Sequence, residues 1–181
     1  MPFTFIPCPI AGLYEIQPKI FSDRRGYFFE CYSERDFHSA GLTLRFVQDN
    51  QSKSARGILR GLHFQIKNPQ GKLVKAIQGE VFDVAVDMRR DSATRGKWHS
   101  VILSDERQNQ FYIPPGFAHG FLTLTDQAII TYKCSDFYRP EDEGGICWND
   151  PDIGIKWPGL GMDYILSDRD KKLGFFCDFS S

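Results

Sequence analysis

Nowhere does the chain carry an apolar run of about 18 residues, so no stretch of it reads as a membrane-spanning helix. Its opening, Met1-Pro2-Phe3-Thr4-Phe5-Ile6-Pro7-Cys8-Pro9, lacks the basic residues and the unbroken apolar core of a secretion signal. Both absences point to a soluble, cytosolic protein with no membrane partner. The five cysteines, Cys8, Cys31, Cys134, Cys147 and Cys177, are odd in number and never spaced C-x-x-C, which indicates neither a disulfide framework nor a zinc site. Charge of one sign is also missing: 22 basic against 23 acidic residues leave a formal net charge of -1, and no global field draws nucleic acid. Any anion site must be local. No G-x-G-x-x-G follows an apolar strand, and Gly159-Leu160-Gly161 lacks the third glycine, so no dinucleotide site is read. A phosphate-binding P-loop and a G-x-S-x-G nucleophile elbow are absent as well. What remains is acid–base chemistry without a cofactor.

What the chain has in quantity is aromatic side chains and turn formers. Sixteen Phe, seven Tyr, three Trp, 16 Gly and 10 Pro favour strands punctuated by turns over helices. Leu73-Val74-Lys75-Ala76-Ile77 and Val81-Phe82-Asp83-Val84-Ala85-Val86-Asp87 flank the turn signal Gln78-Gly79-Glu80 and read as a hairpin. Further short apolar runs recur around Val101-Ile102-Leu103, Phe111-Tyr112-Ile113, Gly120–Leu124 and Ala128–Tyr132. Regular strands of this kind suggest a barrel or a double-sheet jelly roll. One short helix is credible, with Ser33 as its cap, Asp36 completing a capping box and Gly41 closing it. Past Pro140 the chain turns loop-like but stays rich in aromatics, which predicts a covering segment packed back on the barrel. No linker or repeat divides residues 1–181, so a single domain is expected.

Two of the four histidines stand in unusual settings. His119 lies in Pro114-Pro115-Gly116-Phe117-Ala118-His119, which resembles the P-x-G-x-x-H element of the cupin superfamily, and the stretch from Gly57 through His63 to Gly79 resembles its G-x5-H-x-H…G element. A metal-binding cupin, by that analogy, has a second histidine two residues after the first and a carboxylate shortly beyond. Here Gln65 and Lys72 stand near those places, and two histidines are too few ligands for a stable site, so no metal is expected. His38 and His99 read as ordinary core or surface residues. Arg60, His63 and Lys72 fall close together, and clustered cations are costly unless an anion binds among them. A guanidinium suits a pyrophosphate, while Gln and Asn amides suit a base or sugar hydroxyls.

Several long motifs in order resemble one family over most of the chain, from about Ile16 to Asp170. They are Phe21-x-Asp23-x-Arg25-Gly26-x-Phe28-x-Glu30, Gln48-Asp49-Asn50-x-Ser52-x-Ser54, Leu59-Arg60-Gly61-Leu62-His63-Phe64-Gln65, Gln70-Gly71-Lys72-Leu73-Val74, Pro114–Phe121, Tyr132-x-Cys134-x-x-x-Tyr138, Glu143-x-Gly145-Ile146 and Trp148-Asn149-Asp150-Pro151. The chain so resembles the dTDP-4-dehydrorhamnose 3,5-epimerases. The resemblance implies an all-β, cupin-type jelly-roll homodimer that needs no cofactor and acts on a dTDP-4-keto-6-deoxyhexose. It assigns His63 as general base, Asp170 as the carboxylate that orients it, Tyr132 as general acid and Lys72 as stabiliser of the enolate. His119 falls near the sugar, and Arg25, Glu30, Gln48, Asn50, Arg60, Tyr138, Glu143 and Arg169 fall at nucleotide-binding places. Arg169 stands where Lys is commoner, and Lys171-Lys172-Leu173-Gly174-Phe175-Phe176 departs from the Pro-Leu ending usual in the family. A relative that inverts only C3 or only C5, a non-catalytic sugar-nucleotide binder and a metal-dependent cupin oxygenase remain as rival readings.

Overall fold

A computed structural model describes residues 2–179. Two antiparallel sheets face each other. The first runs in the order β1 (Phe3–Pro7), β2 (Tyr14–Pro18), β10 (Gln110–Ile113), β7 (Lys72–Gln78), β12 (Gln127–Cys134), β5 (Gln48–Ala55). The second runs β13 (Glu143–Gly145), β6 (Leu59–Gln65), β11 (Phe117–Thr123), β8 (Glu80–Asp87), β9 (Trp98–Ser104). A separate ribbon pairs β3 (Phe21–Asp23) with β4 (Gly26–Phe28) and joins neither sheet. This is the expected double-sheet jelly roll.

Strand periodicity assigns each face. On β7, Val74 and Ala76 enter the core between the sheets, while Leu73 joins a second cluster on the outer face of the first sheet. On β8, Val81 and Ala85 point inward, whereas Val84 and Val86 join a third cluster on the outer face of the second sheet. β8 is covered on both faces and β7 is so at Leu73, which is why they read as nearly continuous apolar runs instead of clean alternations, although Ile77 is exposed. They do not form the expected hairpin. β7 pairs with β10 and β12, β8 pairs with β9 and β11, and the turn at Gly79 (φ +72°) carries the chain from one sheet to the other. The turn residues were legible; a turn alone does not say whether the next strand returns beside its predecessor or crosses the barrel.

The outer faces are closed by the expected covering segment after Pro140 and by the short helix, which is a cover in its own right. Helix α1 (Glu34–Ser39) packs Phe37 against Phe3, Leu73 and Tyr112, with aromatic edges from Phe5 and Tyr32. Ser33 Oγ accepts the Asp36 N–H at 3.4 Å. The reciprocal half of the capping box is not made: an Asp carboxylate is one methylene shorter than Glu, and Asp36 Oδ2 is buried without a partner. At the other end the Leu42 N–H bonds Phe37 O and the Gly41 N–H bonds His38 O, a Schellman closure with Gly41 at φ +84°. The second cover is the stretch after Pro140, where Ile146, Ile153, Trp157 and Phe176 pack on β8 and β11. Among the described residues no helix is long and apolar enough to cross a membrane.

Candidate active site

The polar side chains of interest occupy the inward positions of the strands, at one end of the space that Val74, Ala76, Ile130 and Phe121 fill with apolar groups. Alternation along β12 places Tyr132 and Cys134 inside with Ile130; along β7 it places Lys72 with Val74; along β6 it places His63 with Gln65. On β5 the same rule turns Gln48 and Asn50 inward, and Asn50 sits opposite Tyr132. His63 and His119 are register partners on β6 and β11. Two glycines allow that pairing. A Cβ on Gly120 would lie 2.6 Å from Arg60 O, and one on Gly61 would lie 2.7 Å from both Gly120 Cα and His119 O.

His63 Nε2 lies 2.7 Å from Asp170 Oδ1 across 107 residues of sequence. The carboxylate is itself held, Oδ2 accepting the Gly61 N–H at 3.3 Å and Ser167 Oγ accepting the Asp170 N–H at 3.0 Å. Burial pushes Asp170 upward, but its bond to His63, the His63 charge and the Gly61 N–H outweigh this and hold it below the usual 3.8. His63 keeps 29% of its side chain exposed, against 5% for Asp170. On the other side its Nδ1 stands 4.0 Å from Glu143 Oε1.

Lys72 is pulled below its ordinary 10.5 by burial, with Cys134, Asp83 and Glu143 working in the opposite direction. Tyr132 is pushed above 10.0, chiefly by burial, so its phenol is neutral and protonated at physiological pH. His119 Nε2 lies 2.9 and 3.0 Å from the two oxygens of Asp83. Its ring centroid is 6.5 Å from that of Tyr132.

A cavity of about 240 Å³ opens on this interior, lined by Lys72, Tyr132, Cys134, Gln48, Asn50 and Glu143 among others. At its mouth the Tyr138 hydroxyl donates to Glu143 Oε2 at 2.5 Å, and Arg169 pairs with the same oxygen at 2.5 Å. The side-chain Oε1 of Gln48 accepts the Tyr138 backbone N–H at 3.0 Å. Arg60 points outward, with Nε donating to Ser54 Oγ at 3.0 Å, but its charge is felt at Tyr132. A larger depression of about 410 Å³ lies around Lys75, Thr131 and Lys133 on the opposite face of the first sheet; it shares Asn50 and Tyr132 but not Lys72 or Glu143. The smaller cavity has both, and Glu143 connects it to His63 at 4.0 Å, so the chemistry is assigned there.

Two of the expected binding residues are not brought there within the chain. Arg25 sits on the isolated β3–β4 ribbon, where its guanidinium bonds Asp23 at 2.6 Å and is 85% exposed. Glu30 follows the ribbon and is exposed, and neither lines the cavity. Among the described residues the ribbon pairs with no sheet strand and is tied to the body by the Gln108 amide donating to the Tyr27 hydroxyl at 3.1 Å, which does not bring Arg25 or Glu30 to the cavity. Asp83 was missed by reading the sequence for site residues. Its signal was present: an acid at an inward position of Val81-Phe82-Asp83-Val84-Ala85, flanked by Val81 and Ala85 on the same face.

Residues 7–178 match the family model described as dTDP-4-dehydrorhamnose 3,5-epimerase. The epimerase of that name from Methanothermobacter thermautotrophicus is 55% identical over 171 residues, covering 93% of this chain and 92% of the relative. The dTDP-6-deoxy-D-glucose-3,5-epimerase of Legionella pneumophila, solved in complex with dTDP-4-keto-L-rhamnose, superposes with a TM-score of 0.94 at 48% identity, over 97% of this chain and 93% of that one. The dTDP-4-dehydrorhamnose 3,5-epimerase of Elizabethkingia anophelis gives a TM-score of 0.95 at 45% identity, with both chains covered completely. Likeness of this extent, running through both sheets and the covering segment, makes the chain a member of the dTDP-4-dehydrorhamnose 3,5-epimerase family of isomerases.

Proposed function

We propose that this enzyme inverts C3 and C5 of dTDP-4-dehydro-6-deoxy-D-glucose to give dTDP-4-dehydro-L-rhamnose, with His63 as the base, Asp170 orienting it and Tyr132 as the acid. The observation that carries the assignment is the 2.7 Å contact between His63 and Asp170 in the same interior as a neutral, protonated phenol and a half-buried lysine. In a 4-keto sugar, C3–H and C5–H both flank the carbonyl, so one base and one acid serve either centre through an enolate. Asp170 accepts the Nε2–H of neutral His63, which leaves Nδ1 as the lone pair that takes the proton. A neutral imidazole is a far weaker base than a carbanion, so the barrier falls chiefly by stabilising the oxyanion. Lys72 is the donor for that task, and one well-placed donor supplies roughly 2.7 to 4 kcal/mol.

Gln48, Asn50, Tyr138 and Glu143, which line the cavity, with Arg169 paired to Glu143 and Arg60 felt at Tyr132, are assigned to the nucleotide diphosphate, and His119 to the sugar. The working form is a homodimer. Phe21, Tyr27 and Phe28 are 51%, 61% and 68% exposed on the ribbon, and a second copy would bury them while bringing the partner's Arg25 and Glu30 to the mouth. Five free cysteines suit a reducing cytoplasm, where we place the enzyme. Incubation with dTDP-4-keto-6-deoxyglucose in D2O, followed by proton NMR, tests the reading. Deuterium is expected at both C3 and C5; exchange at one carbon makes it a single-centre epimerase, and exchange at neither makes it a binding protein.

A further inference from the structure

The interior holds a second His–Asp pair, and one of its members has no task in the scheme above. His119 and Asp83 are sealed, their side chains 7% and 0% exposed, and both Asp83 oxygens lie against the same ring nitrogen at 2.9 and 3.0 Å. Among the described residues no other hydrogen bond reaches the Asp83 carboxylate. As architecture this is poor, because burying a carboxylate against a single N–H is no more stabilising than an apolar pair of similar volume, and Val81 and Ala85 beside it show that apolar groups fit there. The pair therefore makes sense through what it does to His119.

An ionised carboxylate only accepts, so Nε2 carries the ring proton. Burial, with Lys72 and His63 as the nearby positive groups and Asp83 opposing, holds His119 below the usual 6.5, so at neutral pH that is its one ring proton. Nδ1 keeps a lone pair, and no donor of the described residues is bonded to it. A lone pair repels a keto or enolate oxygen and welcomes a hydroxyl. From this geometry we infer that Asp83 is a positioning residue that fixes His119 as the acceptor for a ring hydroxyl of the bound sugar, leaving the oxyanion to Lys72. The inference rests on the epimerase reading and adds a specificity for hydroxylated sugars to it.

Nitrogen-15 NMR of the wild-type protein at pH 7.5 tests the tautomer directly: His119 is expected as the Nε2–H form, and an Nδ1–H or doubly protonated ring overturns the inference. Asp83→Asn keeps the shape but lets the ring take either tautomer. It is expected to lower kcat/KM about 10-fold while the affinity for dTDP alone stays unchanged. Ring-deoxy analogues extend the test, because the variant is expected to lose less on the analogue that lacks the recognised hydroxyl than on the full substrate. Wild-type kcat/KM in Asp83→Asn, or a loss matched by an equal loss of dTDP affinity, refutes the role. If Asp83→Asn does not fold, the wild-type tautomer decides alone. Absence of deuterium exchange in the wild type would sink the epimerase reading and leave the tautomer result standing by itself.

Discussion

His63 and His119 face each other across β6 and β11, each with a carboxylate on Nε2, at 2.7 and 2.9 Å. The resemblance ends there. His63 keeps 29% of its side chain open, and its carboxylate arrives from a 3-10 turn (Asp170–Lys172) in the covering segment, tied by Gly61 and Ser167. His119 is 7% exposed, and its carboxylate comes from the adjacent strand with no further tie among the described residues. An open imidazole with a well-held anion can take up a proton and share the charge; a sealed one with the same anion is locked in one tautomer. Equal residue types thus do different work because access and support differ.

The comparison breaks first at His63. His63→Ala is expected to slow exchange at both C3 and C5 by about 10²- to 10⁴-fold, the usual contribution of a general base, with dTDP still binding. Wild-type exchange in that variant would mean that the open pair is not the base. Asp170→Asn comes next, with an expected loss of about 10- to 100-fold, since it removes one charge-assisted bond and leaves the imidazole in place. A loss larger than that of His63→Ala would make the carboxylate more than an orienter.

How far sequence reading reaches is visible in the same two pairs. His63, Asp170, Tyr132 and Lys72 were legible through motifs that recur in order, including a carboxylate 107 residues from its histidine that no periodicity could have linked. Asp83 was not, because an acid inside an apolar strand carries no motif, and only the fold shows which ring it meets. β5 escaped notice for a related reason: its inward positions are Gln48 and Asn50, which line the cavity, and Ser52 and Ser54, so the strand has no apolar face to announce it. Arg25 and Glu30 were assigned to the site only as motif members, and the ribbon that carries them stands apart from the cavity in the single chain. Propensity and patterning describe faces and turns; they do not encode which sheet a strand joins, as the crossing at Gly79 shows.

Placing the two rings side by side depends on the close approach of β6 and β11. Gly120→Ala puts a methyl group 2.6 Å from Arg60 O and 3.0 Å from Leu62 Cδ2, neither of which can retreat easily because Leu62 is fully buried. Overpacking of this kind costs about 1 to 3 kcal/mol, read as a lower urea midpoint. Exchange activity is expected to fall with it, because both histidines ride on the displaced strands. Unchanged stability would show that the strands have room to spare.

The smallest effect separates the pairs by pH. For His119 the folded value lies below the unfolded 6.5, so as pH falls through 6.5 the unfolded chain takes a proton that the buried ring refuses, and stability declines. For Asp170 the folded value lies below the unfolded 3.8, so its contribution is complete above 3.8 and is lost only as pH falls further toward the folded value. His99, also lowered by burial, shares the first window, and Asp87, held at about 2 by Arg89, Ser92 and Thr94 against the cost of burial, shares the second. Urea midpoints at pH 8, 5 and 3 should therefore show His119→Gln losing less than the wild type between 8 and 5, and Asp170→Asn losing less between 5 and 3. If His119→Gln declines as steeply as the wild type in the upper window, the second ring is not sealed against protons, and the contrast between the two pairs disappears.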